Sequence, residues 1–225
     1  MKNFLLILTL LFASFSFAAD GPFTVFYGIK TQNPGQIVAA TDELWKSCDK
    51  GDIEISLNQD SINGENETTH TYVVNFPNNA AFAKWNKLFD TCPGVAKYFE
   101  KTNSISESTN QIMGLPLRAS GETADSKYFQ VFIASVARPD KFIKAYDQLM
   151  EANEECDSYG LLAFGPGYTL QNGTHLAYCG FNDLESYLEQ VQVREPTKEF
   201  AKFLRKTYKY TQLSSVSMVE VVKRY

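Results

Sequence analysis

Two histidines and four cysteines are the residues of this chain with the clearest chemical potential. His70 and His175 each follow a threonine, in Thr69-His70 and Thr174-His175, and lie 105 positions apart. Imidazole titrates near neutral pH, so a matched pair could act as general bases, ligate haem or hold a metal. Neither has a sequence-evident acidic partner to orient it, and no Ser/His/Asp or Cys/His nucleophile set can be assembled, which leaves hydrolytic chemistry little support. Cys48, Cys92, Cys156 and Cys179 show no Cys-x-x-Cys or Cys/His clustering. That argues against zinc and thioredoxin-type redox chemistry, and no metal site is expected. An even number of cysteines in an oxidising compartment suggests two disulfides, with three possible connectivities. Two cysteines in each half of the chain favour Cys48–Cys92 and Cys156–Cys179.

The expectation of an oxidising compartment comes from the first 19 residues. Lys2 supplies a short positive start, an apolar run from Phe4 to Phe12 follows, and small residues end the segment near Ala18 and Ala19. This reads as a signal peptide, too short to span a bilayer of about 30 Å. The protein is therefore expected in the periplasm or secreted, with no transmembrane segment. Its 21 basic and 26 acidic residues give a formal net charge of −5. Nucleic acid binding needs concentrated positive charge and is not expected.

The 105-residue offset of the histidines holds across most of both halves. It carries Pro34 onto Pro139, Asp42 onto Asp147, Phe76 onto Phe181 and Met113 onto Met218. A repeat of this length is a whole small domain rather than a solenoid unit. Each copy reads strand, helix, strand, strand, helix, strand. In the first, Phe23–Ile29 is a strand and a helix opens at Asn33-Pro34. Ile53–Leu57 is a strand, 60–67 a polar turn, His70–Phe76 a strand, Asn78 caps a second helix, and Ser106–Met113 closes the copy. In the second, Phe129–Val136, Gly160–Gly165, His175–Phe181 and Leu213–Val222 are the strands, around a helix from Pro139 to Glu155 and a broken helix, Leu184–Val191 and Thr197–Tyr208. Residues 118–126, rich in small and polar types, form the expected linker between repeat 1 (20–117) and repeat 2 (127–225).

This order is that of a ferredoxin-like unit, with helices on one face of an antiparallel sheet. The first strands, Phe23-Thr24-Val25-Phe26-Tyr27 and Phe129-Gln130-Val131-Phe132-Ile133, are apolar on both faces, which indicates cover on both sides. The fold class expected is α+β, with two tandem ferredoxin-like repeats packed sheet to sheet as a fused α+β barrel. That arrangement resembles the dimeric α+β barrel superfamily, which includes antibiotic-biosynthesis monooxygenases, stress-responsive barrel proteins and haem-binding chlorite dismutases. The resemblance implies a small-molecule or haem site in the barrel interior or between sheet and helices.

Strand alternation places the candidates. His175, Ala177, Cys179 and Phe181 share one face; with Cys179 bridged to Cys156 at the end of the preceding helix, that face is the helix-packed one. Thr71, Val73 and Asn75 in one copy, and Leu176, Tyr178 and Gly180 in the other, then line the interior. Asn75 and Tyr178, with Tyr27 of the first strand, are polar where an apolar side chain would fill space more simply, and a buried polar group needs a partner. Candidate ligand-binding residues are therefore Tyr27, Asn75, Tyr178, His70 and His175. The sequons at Asn66 and Asn172 read as exposed turns, and Glu154 and Glu155 as an exposed helix end. The function expected is a non-catalytic binding or interaction protein holding a small apolar ligand or a protein partner without a cofactor. The alternative is a barrel-type oxygenase or haem-handling enzyme using His70 or His175.

Overall fold

The structure is a computed structural model that describes residues 20–152, 156–168, 173–192 and 197–225. The expected signal peptide, Glu154, Glu155 and Asn172 lie outside the described residues. Among those described, the chain runs β1 (Phe23–Thr31), α1 (Pro34–Ser47), β2 (Glu54–Ile62), β3 (His70–Phe76), α2 (Asn79–Thr91), α3 (Pro93–Thr102) and β4 (Ser106–Ser120). The same order then recurs as β5 (Tyr128–Val136), α4 (Pro139–Met150), β6 (Ser158–Phe164), β7 (His175–Phe181), α5 (Leu184–Val191), α6 (Lys198–Thr207) and β8 (Thr211–Arg224). The fold is α+β, with all strand pairs antiparallel.

The strands close in the order β1-β3-β2-β8-β5-β7-β6-β4. The halves are thus not merely stacked face to face. The long strands β8 and β4 reach across, β8 to β2 and β4 to β6, and hydrogen-bond the halves at both edges. Closure removes the unpaired edges that two separate four-stranded sheets would expose. It also explains a difference at the expected linker. β4 continues through Ser120, with Arg118, Ala119 and Ser120 paired to Leu161, Gly160 and Tyr159 of β6. The small, polar composition of 118–120 reflects a strand end rather than a free connection.

Alternation within each strand separates an outer face, covered by helices, from a lumen. In the first half, Phe23, Val25, Ile55, Val74 and Phe76 pack outward against Trp85 of α2. In the second, Ala134, Val136 and Leu161 pack against Phe142 and Tyr146 of α4. Helix starts follow local chemistry. Asn78 accepts from the Ala81 amide at 2.9 Å, as its sequence position predicts, and Asp183 from the Ser186 amide at 2.8 Å. Asn33 is the N-cap of α1 but makes no side-chain cap bond; Pro34, already short of an amide hydrogen, takes the first helical position. The disulfides pair Cys48 with Cys92 and Cys156 with Cys179. The first ties the end of α1 to the α2–α3 junction. The second fixes the segment entering β6 to β7. Two disulfides suggest an oxidising, exported environment, and no described helix is long and apolar enough to cross a membrane.

Candidate functional site: a two-sided lumen

The lumen is a cavity of about 770 Å³, within the range of small-molecule sites. Its two halves differ in chemistry. The wall from the first half presents Thr24 of β1, Ser56, Asn58 and Asp60 of β2, Thr71 and Asn75 of β3, and Asn110 of β4. The wall from the second presents Phe129, Val131 and Ile133 of β5, Leu162 and Phe164 of β6, and Leu176 of β7. Its polar members are Tyr178 of β7 and Ser214, Ser215 and Ser217 of β8.

Strand register shows that these differences fall at equivalent places. Asn58 pairs with Thr71 across β2 and β3, and at the matching rung of β6 and β7 Leu162 pairs with Leu176. The Asp60 amide donates to the Thr69 carbonyl at 2.9 Å; the Phe164 amide donates to the Thr174 carbonyl at 2.8 Å. Asp60 therefore occupies the place of a phenylalanine, and Asn58 that of a leucine. The fold can fill both positions with hydrocarbon.

Asp60 accepts a hydrogen bond from the Thr71 hydroxyl at 2.9 Å. Burial pushes its carboxyl up to about 6, partly offset by that bond. Asn58 is buried, and its Oδ1 has no hydrogen-bond partner. Because Thr71 is the cross-strand neighbour of Asn58 and the bonding partner of Asp60, the three side chains form one group. The same rung continues through Gly28 to Asn110. A Cβ on Gly28 would come within 2.7 Å of the Asn110 amide, so glycine keeps the space that Asn110 fills. Asn110 donates to Thr68 Oγ1 at 3.1 Å, and Thr68 bonds Thr109 at 2.7 Å. Those groups are satisfied; Asn58 is not.

Of the residues singled out in the sequence, Asn75 and Tyr178 reach the lumen. Asn75 is already engaged, accepting from the Thr24 hydroxyl at 2.7 Å. The Tyr178 ring packs edge-on to Phe129, with centroids 5.9 Å apart, and burial raises its phenol. It lies over Gly160, where a Cβ would come within 2.4–2.6 Å of the ring and hydroxyl.

The other three candidates do not line the lumen. Tyr27 has the outward parity of β1 and packs in the first half's helix-covered core. His70 and His175 lie in the layer between sheet and helices. His175 sits 5.8 Å from the Phe142 ring of α4, and its Nδ1 is 2.8 Å from Thr174 Oγ1. His70 repeats the local pairing, with Nδ1 3.0 Å from Thr69 Oγ1. Burial lowers both, favouring neutral imidazole. The helix-facing position of His175 is the one its strand parity with Cys179 requires.

Haem does not fit the lumen. Its iron needs an axial ligand such as His, Cys, Met or a tyrosinate, and no His, Cys or Met is among the lining residues. The two phenols among the lining residues, Tyr178 and Tyr225, have their ionised forms disfavoured by burial. The histidines are closed into packed layers, 4% and 5% exposed. Among the described residues no group of three or more His, Cys, Asp or Glu could hold a metal.

The sequence reading missed Asp60 and Asn58. It assigned 60–67 to a turn, whereas β2 continues to Ile62. Outward apolar residues stop at Leu57, because Gln59 and Ser61 are exposed on the outer face. The periodicity that would announce a strand is therefore lost where the polar lumen residues begin.

No family model and no curated protein matches the chain. Solved structures do match its fold. An anthrone oxidase-like protein is 11% identical, with 92% of this chain and 93% of that chain covered at a TM-score of 0.57. A proposed monooxygenase from Fusobacterium nucleatum is 15% identical, with coverages of 92% and 94% and a TM-score of 0.58. A proposed chlorite dismutase is 5% identical, with coverages of 89% and 95% and a TM-score of 0.53. The fold is that of the ferredoxin-like α+β barrel proteins. At these identities the likeness establishes the fold alone. The proteins that share it are monooxygenase-like and chlorite dismutase-like, and this overturns the expectation of a non-catalytic binding protein in favour of its alternative.

Proposed function

We propose that this protein is an exported oxygenase-type enzyme, periplasmic or secreted, built from two tandem ferredoxin-like repeats fused into one barrel. It acts on a small, largely apolar molecule held in the lumen, and Asp60 is its general base. The observation that carries this reading is a carboxyl with a pKa near 6 facing the cavity, beside an unpartnered buried amide, at rungs where the other half holds Phe164 and Leu162. A general base works best when its pKa lies near the operating pH. Asp60 removes a proton from the substrate, leaving an electron-rich anion able to react with dioxygen. The Asn58 Oδ1 accepts a hydrogen bond from a substrate hydroxyl and orients the molecule toward Asp60. The apolar second-half wall, from Phe129 to Phe164, excludes water from that anion. The monooxygenase-like neighbours support this class of reaction, and the haem-handling version with His70 or His175 gives way because neither imidazole reaches the cavity.

The test is dioxygen uptake by the purified mature protein with anthrone and a panel of other electron-rich hydroxylated aromatics. Replacing Asp60 with Asn keeps the shape and removes the base. The expected result is a loss of about 10²–10⁴-fold in turnover, with KM little changed. Full turnover in D60N overturns the assignment of the base. Haem-dependent turnover lost on changing His70 or His175 overturns the reading as a whole.

A further inference from the structure

The chemistry of the lumen also specifies the polarity of its occupant, and this step rests on the lumen being the site proposed above. Two acceptors of the polar wall are short of donors. Asn58 Oδ1 is buried without a partner. Asp60 receives one hydrogen bond, from Thr71, where a carboxylate can accept about four. Among the described lining residues the cations are Arg118 and Arg224, and neither bonds Asn58 or Asp60. Arg118 is held by both oxygens of Asp147, at 2.7 and 2.9 Å. Arg224 donates to the backbone carbonyls of Thr123 and Ser126. Facing the acceptors are the apolar side chains of the second half.

We infer that the lumen binds a molecule with a hydrogen-bond donor head, hydroxyl or ammonium, on an apolar body of ring size. The head sits against Asn58 and Asp60, the body lies along Phe129, Leu162 and Phe164, and a carboxylate head is disfavoured beside Asp60. A donor head satisfies an acceptor whose isolation otherwise costs about 1–3 kcal/mol. A carboxylate head would bring a second anion beside Asp60 in a poorly hydrated site, where like charges repel strongly. The second-half side chains that could bond such a head near the polar wall, the Tyr178 phenol and the hydroxyls of Ser214, Ser215 and Ser217, are neutral and leave its charge uncompensated.

The experiment is binding, not turnover, so it is independent of whether the protein consumes dioxygen. Four probes share one bicyclic body: β-naphthol, β-naphthylmethylamine, β-naphthoate and β-methylnaphthalene. Dissociation constants are measured by calorimetry or tryptophan fluorescence at pH 7.5. At least one donor-headed probe is expected to bind tenfold or more tighter than both the hydrocarbon and the carboxylate. N58L should remove the advantage of the hydroxyl probe while leaving affinity for β-methylnaphthalene intact, which also shows that the variant is folded. D60N separates the two donor sources: it should abolish the advantage of the ammonium probe and spare that of the hydroxyl probe. Naphthoate binding as tightly as the best donor-headed probe, a hydroxyl preference that survives in N58L, or an ammonium preference that survives in D60N, overturns the inference. Donor-selective binding without turnover of any aromatic substrate would refute the enzyme reading and leave this one standing.

Discussion

Neutralising Asp60 should make the protein more stable at neutral pH, and the size of the effect follows from its surroundings. Burial raises the carboxyl from 3.8 to about 6. At about 1.4 kcal/mol per pH unit, this corresponds to roughly 3 kcal/mol of differential interaction. The sign follows from proton binding. Between about pH 4 and 6 the folded chain holds a proton that the unfolded chain has released. Stability therefore falls as pH rises through that window and levels off above it. In D60N the residue is neutral in both states, so this loss disappears. Relative to the parent, D60N should gain up to about 3 kcal/mol at pH 7–8 and little or nothing near pH 4. For a domain of about 200 residues, 3 kcal/mol corresponds to roughly 6–12 °C in Tm. The assay is urea unfolding of both proteins from pH 4 to 8, with disulfides intact, comparing midpoints and slopes. Equal stability of the two at pH 7.5, or a D60N protein that is less stable there, would refute the burial argument. It would also remove the physical basis for treating Asp60 as a base poised near neutrality.

Asn58→Leu should raise stability by about 1–3 kcal/mol in the same assay, because an unpartnered buried acceptor is replaced by the residue type at the matching rung; activity should fall. Asn110→Leu is the contrast: it breaks the bond to Thr68 and should destabilise by about 1–3 kcal/mol. Gly160→Ala should displace the Tyr178 ring into the lumen, lower Tm, and weaken probe binding measured by calorimetry. Changing both Cys156 and Cys179 to Ala should cost about 3 kcal/mol in a urea titration, as expected for a bridge spanning 23 positions. His175→Phe should leave turnover within about twofold, and added haemin should give no Soret band dependent on either histidine.

Element order within each half and face parity were legible because most outward residues are apolar where a helix covers them. The run His70–Phe76 and its counterpart His175–Phe181 carry that signal along their full length. Parity combined with the Cys156–Cys179 bridge placed His175 under the helices. What was not legible was depth. β2 outlasts its helix cover, so Asp60 looks like a turn residue until its pairing with Val219 of β8 is seen. Tyr27 failed for a related reason. A strand that is apolar on both faces gives no contrast from which to read direction, and its hydroxyl suggested the lumen where register puts it outside. Pairing between the halves, through β8 and β4, depends on contacts about a hundred or more residues apart in β2–β8 and on a strand continuing through a segment that composition marks as a linker.

The matched histidines and the mismatched lumen point to opposite conclusions about where function resides. His70 and His175 keep the same neighbour and the same hydroxyl contact in both halves, which is what packing beneath a helix demands. The lumen rungs keep their backbone geometry and change their chemistry, Asp60 against Phe164 and Asn58 against Leu162. The polar versions are costly. An ionised buried carboxyl and an unsatisfied amide together oppose folding by about 4–6 kcal/mol, a large share of a typical 5–15 kcal/mol stability. The second half demonstrates that this geometry is compatible with hydrocarbon at both places. A polar pair kept at that cost, on one wall only and facing a cavity large enough for a bicyclic ligand, is best explained by what enters the cavity. The candidate site therefore lies on the first-half wall on physical grounds alone.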